Sequence, residues 1–112
     1  MLYSTLRVGE KEYKLRVTAK IAVDIERKIG KPLLSIFGEG NLNELPGIET
    51  LLIVLHGALQ TYEHGISLED VYCIYDKYVE GDGSYAGLLQ ELVEVLKISG
   101  FFKGAPKESK TE

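Results

Sequence analysis

Four side chains able to ligate a metal or act as a nucleophile or base fall in the middle of the chain: His56, Glu63, His64 and Cys73. A soft metal needs such ligands at spacings that bring them together, as in Cys-x-x-Cys or His-Glu-x-x-His, and no two of the four are so spaced. Asp76, Glu80 and Asp82, with Gly81 and Gly83, have the composition of a calcium loop without its alternation or its closing Glu. Gly38-Glu-Gly40 and Gly81-Asp-Gly83-Ser84 lack the lysine and the preceding strand that a phosphate-cradling loop requires. Cys73 has no basic neighbour in sequence to activate its thiol, so inert burial is expected. The seven tyrosines have no catalytic pairing. We expect a protein with no catalytic residues, no cofactor and no metal.

The elements around these residues are well punctuated. Residues 2–8 and 11–17 read as strands about a turn at Gly9-Glu10; in the second, Tyr13, Leu15 and Val17 alternate with Lys14 and Arg16. Thr18 stands at an N-cap position before a helix whose stripe is Ile21, Ala22, Ile25 and Ile29, closed by Gly30 and Pro32. A helical turn follows over 33–37, then a loop over 38–47. The most apolar helix spans about 47–63; Ile48, Leu51, Leu52, Leu55, Leu59 and Tyr62 form its main stripe, with Ile53 and Val54 off it. A helix apolar on so much of its circumference is expected to be central.

Ser67 caps the next helix, where Leu68, Val71, Tyr72, Tyr75 and Val79 are expected to face the core. Ser84 caps a last helix to about Ser99, with Leu88, Leu89, Leu92, Val93 and Leu96 inward. The fold class is α+β and helix-dominant: an N-terminal antiparallel β-hairpin followed by four or five packed helices. Residues 1–102 are expected to form one domain and 103–112 a disordered tail. A two-stranded hairpin is marginal alone, so it must lie on the helices or pair its edge with another chain.

Charge narrows the partner. The 112 residues carry a net charge of −4, unevenly spread. Residues 1–31 hold eight basic and four acidic side chains, whereas 32–102 hold two basic and eleven acidic. An acidic body is a poor ligand for phosphates, so no nucleic acid is expected. The start of the chain lacks a secretory pattern, and the longest apolar run, Leu51 to Leu55, is far short of the ~20 residues that span a bilayer. With a single cysteine, no intramolecular disulfide can form, and a reducing cytoplasm with no membrane contact is the expected setting.

Some apolar residues exceed what one small core needs. Ile74 with Tyr78, and Val95 with Ile98 and Phe102, make second stripes on helices that already have a first; Phe101 and Phe102 adjoin the tail. Either both helices are sandwiched and these residues are core, or they form a protein-binding surface rimmed by Glu69, Asp70, Glu91 and Glu94. On the second alternative the partner-binding residues are Ile74, Tyr78, Glu91, Glu94, Val95, Ile98, Phe101 and Phe102.

Five segments in order carry a family resemblance: Gly9-Glu10-Lys11-Glu12-Tyr13; Ile25-Glu26-Arg27-Lys28-Ile29-Gly30-Lys31-Pro32-Leu33; Leu55-His56-Gly57-Ala58-Leu59; Ile66-Ser67-Leu68-Glu69-Asp70-Val71; and Ser99-Gly100-Phe101-Phe102. Together, over about residues 5–102, the layout resembles the small tail assembly chaperones of long-tailed phages and prophages of Gram-positive bacteria. The resemblance implies a non-enzymatic protein of the host bacterial cytoplasm that binds the tape measure protein and keeps it soluble while the tail tube polymerises. It also implies absence from the finished virion. A homo-oligomer is expected from the hairpin edge and the last helix. The competing expectations are a small structural tail or connector component retained in the particle, and a dimeric regulatory or adaptor domain.

Overall fold

Alternating side chains and a two-residue turn produce the hairpin. The structure, a computed structural model, describes residues 3–37 and 45–101. Strand β1 (Ser4–Val8) pairs antiparallel with β2 (Lys11–Leu15), Leu6 opposite Tyr13 and Val8 opposite Lys11. At the turn Gly9 has φ 62°, a left-handed conformation that glycine adopts without strain. The two-residue period buries Leu6, Val8 and Leu15 and leaves Thr5, Arg7, Glu12 and Lys14 exposed. Arg7 and Glu12, directly opposite one another, are ion-paired at 2.9 Å.

Beyond β2 the backbone is tied to distant parts of the chain. The Arg16 N–H donates to the Ala58 carbonyl (3.0 Å), and the Thr61 hydroxyl donates to the Arg16 carbonyl (3.3 Å). The Val17 N–H donates to Ser99 Oγ at 3.2 Å. The Tyr3 and Tyr62 rings meet edge to face at 5.9 Å, with Lys14 Nζ over both.

Helix α1 (Ala19–Ile29) begins where the Thr18 hydroxyl accepts from the Ile21 N–H and ends at Gly30, whose φ is 83°. Ala22 and Ile25 are buried and Ile21 and Ile29 half-buried, so the isoleucine stripe faces inward as its spacing predicts. The short α2 (Leu33–Phe37) follows; its Leu33 N–H donates to Glu26 Oε2 at 2.9 Å.

Helix α3 (Ile48–Gln60) is the hub, packed against α1, β2 and two later helices, α4 (Leu68–Gly81) and α5 (Tyr85–Ile98). Val54, off the main stripe, is fully buried, whereas Ile48, on it, is 45% exposed. A helix enclosed on several sides has little use for one stripe. Gly57 permits the closest approach: a Cβ there would lie 2.6 Å from Ile25 Cδ1. Both α4 and α5 also pack on β1, so the hairpin is covered by helices. The fold is therefore α+β and helix-dominant, with an N-terminal antiparallel hairpin and five helices among the described residues.

The caps are as expected: Ser67 and Asp70 form a reciprocal capping box, and the Ser84 hydroxyl accepts from the Gly87 N–H. The helix faces require correction. On α4 the buried residues are Val71 and Ile74, with Tyr75 and Tyr78 half-buried, while Tyr72 and Val79 are 40% and 44% exposed. On α5 the buried face is Leu88, Leu92, Val95 and Leu96; Leu89 and Val93 are at its margin. Both helices are turned by less than one residue's ~100° from the face expected. The aliphatic Ile74 and Val95 have no polar atom to keep in water, whereas Tyr72 does. The Gly38–Gly40 segment, Phe102 and the tail 103–112 lie outside the described residues.

Candidate partner-binding surface

Two of the predicted surface residues are core. Ile74 is 7% exposed and Val95 1%, and both join the central apolar cluster. The sandwiched alternative holds for them, and neither can contact a partner without unfolding its helix. Ile98 and Phe101 are half-buried near the C-terminal end of α5, where the Phe101 N–H donates to the Leu96 carbonyl at 2.9 Å and Phe101 packs on the core. Cys73 is exposed rather than buried, because it lies on the side of α4 away from Val71 and Ile74.

What the structure brings together is Tyr78, Glu91 and the hairpin. A groove of about 490 Å³ between the β1–β2 turn and the α4–α5 connection is lined by Leu6, Arg7, Tyr78, Asp82, Gly83 and Glu91, among others. The Tyr78 ring lies against Gly83, where a Cβ would come within 2.4 Å of it, and its hydroxyl lies close to Gly87. Burial raises the Glu91 carboxyl above the usual carboxylate range, and the exposed Glu94 adds to the effect. Burial raises the Tyr78 phenol too, followed by the negative charge of Glu91 and the neighbouring Tyr75.

The unexpected surface is on α4. Leu68, Tyr72, Tyr75 and Val79 recur at i, i+4, i+7 and i+11, which places them in one strip along the helix. Tyr72 and Val79 are exposed, and Leu68 and Tyr75 half-buried. Beside the strip, on the side away from Ile74, lie the exposed Glu69, Asp76 and Glu80. Its spacing is plain in the sequence; the exposure of Tyr72 and Val79, beside Leu68 and Tyr75 that do pack on the core, is not.

Other chemistry stays dispersed. His56 Nε2 is 3.1 Å from the Ile66 carbonyl, which also accepts from Gln60 Nε2 at 2.9 Å, so both side chains hold the α3–α4 connection. Burial, then the Lys28 charge, holds the His56 imidazole below the usual histidine range, and the contact with Ile66 offsets part of this. Among the described residues no three His, Cys, Asp or Glu side chains form a metal-holding group, and no helix is long and apolar enough to cross a membrane.

No curated protein and no solved structure matches the chain. A match over residues 2–112 places nearly its whole length in one family: the chain belongs to the family of unknown function DUF6096.

Proposed function

We propose that this protein is a non-enzymatic tail assembly chaperone of a long-tailed phage or prophage, working in the cytoplasm of the bacterial host. Its partner is the tape measure protein, which it keeps soluble during tail tube assembly. The observation that carries the reading is the Leu68/Tyr72/Tyr75/Val79 strip: Leu68 and Tyr75 pack partly on the core, while Tyr72 and Val79 stand exposed beside an acidic flank. The ordered sequence segments that resemble the tail assembly chaperones support it independently.

The physics suits the task. An aggregation-prone helical partner exposes apolar stripes, and covering one removes apolar area from water at about 25 cal/mol per Å². Tyrosines fit such a face because their rings supply area while their hydroxyls tolerate solvent when the partner is absent. The acidic excess of residues 32–102 keeps complexes apart by repulsion. Self-association belongs to the same reading, and light scattering that finds a strict monomer at tens of micromolar removes that part of it.

Co-expression provides the test. The chain should raise the soluble fraction of the tape measure protein encoded beside it and co-purify with it. Tyr72→Ser with Val79→Ser should abolish both effects while the fold persists. Failure of the wild-type chain to do either overturns the proposal. Detection of the protein in purified virions would instead make it a structural tail component.

A further inference from the structure

The groove between the hairpin turn and the α4–α5 connection has an unbalanced chemistry. Its floor is the Tyr78 ring, held in place because Gly83 and Gly87 leave room that any side chain would take. Leu6 lies behind the groove with almost no surface of its own, and the half-buried Glu91 and exposed Asp82 supply carboxylates. The one cation of the lining, Arg7, is already 2.9 Å from Glu12 across the hairpin. The two ion pairs among the described residues, Arg7–Glu12 and Lys20–Asp24, both lie in the basic N-terminal part. Among the described residues neither Glu91 nor Asp82 has a cation as its ion-pair partner.

An incoming anion would meet these carboxylates head on. An apolar side chain would desolvate Glu91 further without neutralising it, which is costly. Two carboxylates over an aromatic floor fall short of a metal's ligand set. A lysine or arginine side chain suits this lining: its charge faces the Tyr78 ring, and Glu91 accepts its N–H donors. We propose that this groove is a socket for a lysine or arginine side chain presented by a protein partner. The cation would also draw the Glu91 carboxyl back toward its ordinary range. The proposal goes beyond the tail-assembly reading, because the socket accepts this side chain from whichever protein carries it.

The test uses the isotope-labelled full chain, titrated with acetyl-Gly-Arg-Gly-amide, acetyl-Gly-Lys-Gly-amide and the neutral acetyl-Gly-Gln-Gly-amide, and read by heteronuclear NMR. Both cationic peptides should give saturable shifts centred on Tyr78, Gly83 and Glu91, and the glutamine peptide none. Glu91→Gln should weaken binding by roughly fivefold or more, as expected for loss of one charge-assisted contact. Tyr78→Leu, which keeps an apolar floor but removes the ring, should also weaken it. Glu49→Gln, an equal charge change on exposed α3 surface, should leave it unaltered. The proposal is overturned if neither cationic peptide shifts these residues, if the glutamine peptide binds equally, or if Glu91→Gln binds as the wild type does. Because these probes contain no tape measure sequence, the socket and the chaperone reading stand or fall separately.

Discussion

Helices α1 and α4 begin alike, each behind a hydroxyl cap, yet they dispose of their apolar residues differently. Helix α1 carries one stripe, Ile21/Ala22/Ile25/Ile29, and buries or half-buries all of it. Helix α4 carries two: Val71 and Ile74 go into the core, and Leu68, Tyr72, Tyr75 and Val79 form a strip of which Tyr72 and Val79 are in solvent while Leu68 and Tyr75 pack at the core margin. Packing requires only one stripe per helix at the rim of a small domain. The part of the second that stays uncovered, Tyr72 and Val79, contributes little to the fold, which makes it the better place to look for function.

The sharpest way to break this comparison is to cut into both buried stripes. Ile25→Ala and Ile74→Ala should each cost about 2–4 kcal/mol in urea unfolding, since each leaves a cavity in the shared core. If Ile74→Ala were neutral, the assignment of α4's faces would be wrong. Gly57→Ala comes next. Its methyl would collide with Ile25 and push α1 off α3, at a cost of about 1–3 kcal/mol in the same assay.

The α3–α4 connection gives a smaller, pH-dependent effect. The folded His56 binds a proton less readily than the unfolded chain does. Its contribution is therefore full above the unfolded pKa of ~6.5 and declines as pH falls through that value toward the lower folded one. His56→Gln keeps a donor near the Ile66 carbonyl but does not titrate. Between about pH 8 and pH 5.5 it should lose less Tm than the wild type does. Smallest of all is the exposed strip: Tyr72→Ser with Val79→Ser should alter stability by about 0.5 kcal/mol or less per site. A large loss there would mean that the strip is structural after all.

Most of the architecture was legible because its signals are local. Thr18, Gly30, Pro32, Ser67 and Ser84 act on the backbone within a few residues, so they announce where helices start and stop wherever those helices later pack. The inward face of α1 was legible for a related reason: there was only one candidate. On α4 and α5 the apolar residues cover more than one face, and periodicity alone does not choose between stripes that share Val71 and Tyr75. The choice comes from neighbours distant in sequence, α3 and β1, and from the preference of tyrosine for the margin. Cys73 and Ile74 illustrate the result: Cys73 is exposed where burial was expected, and Ile74, for which core and surface were both open, is core. The groove was half legible: Tyr78 and Glu91 stood out individually, but their meeting beside the hairpin turn depends on tertiary packing.

The bond from Val17 N–H to Ser99 Oγ joins residues 82 positions apart, and beside it Arg16 N–H is held by Ala58. Neither amide belongs to a local turn that could re-form by itself. The first needs the end of α5 and the second the hub helix brought to the hairpin, so closing the pair is a late and non-local step in folding. Exchange of these two amides with solvent deuterium therefore follows whole-domain opening, while the amides of the cap turns exchange by fraying. The short segment after β2 is in that sense a latch between the beginning and the end of the domain, and its two protons report when the latch is undone.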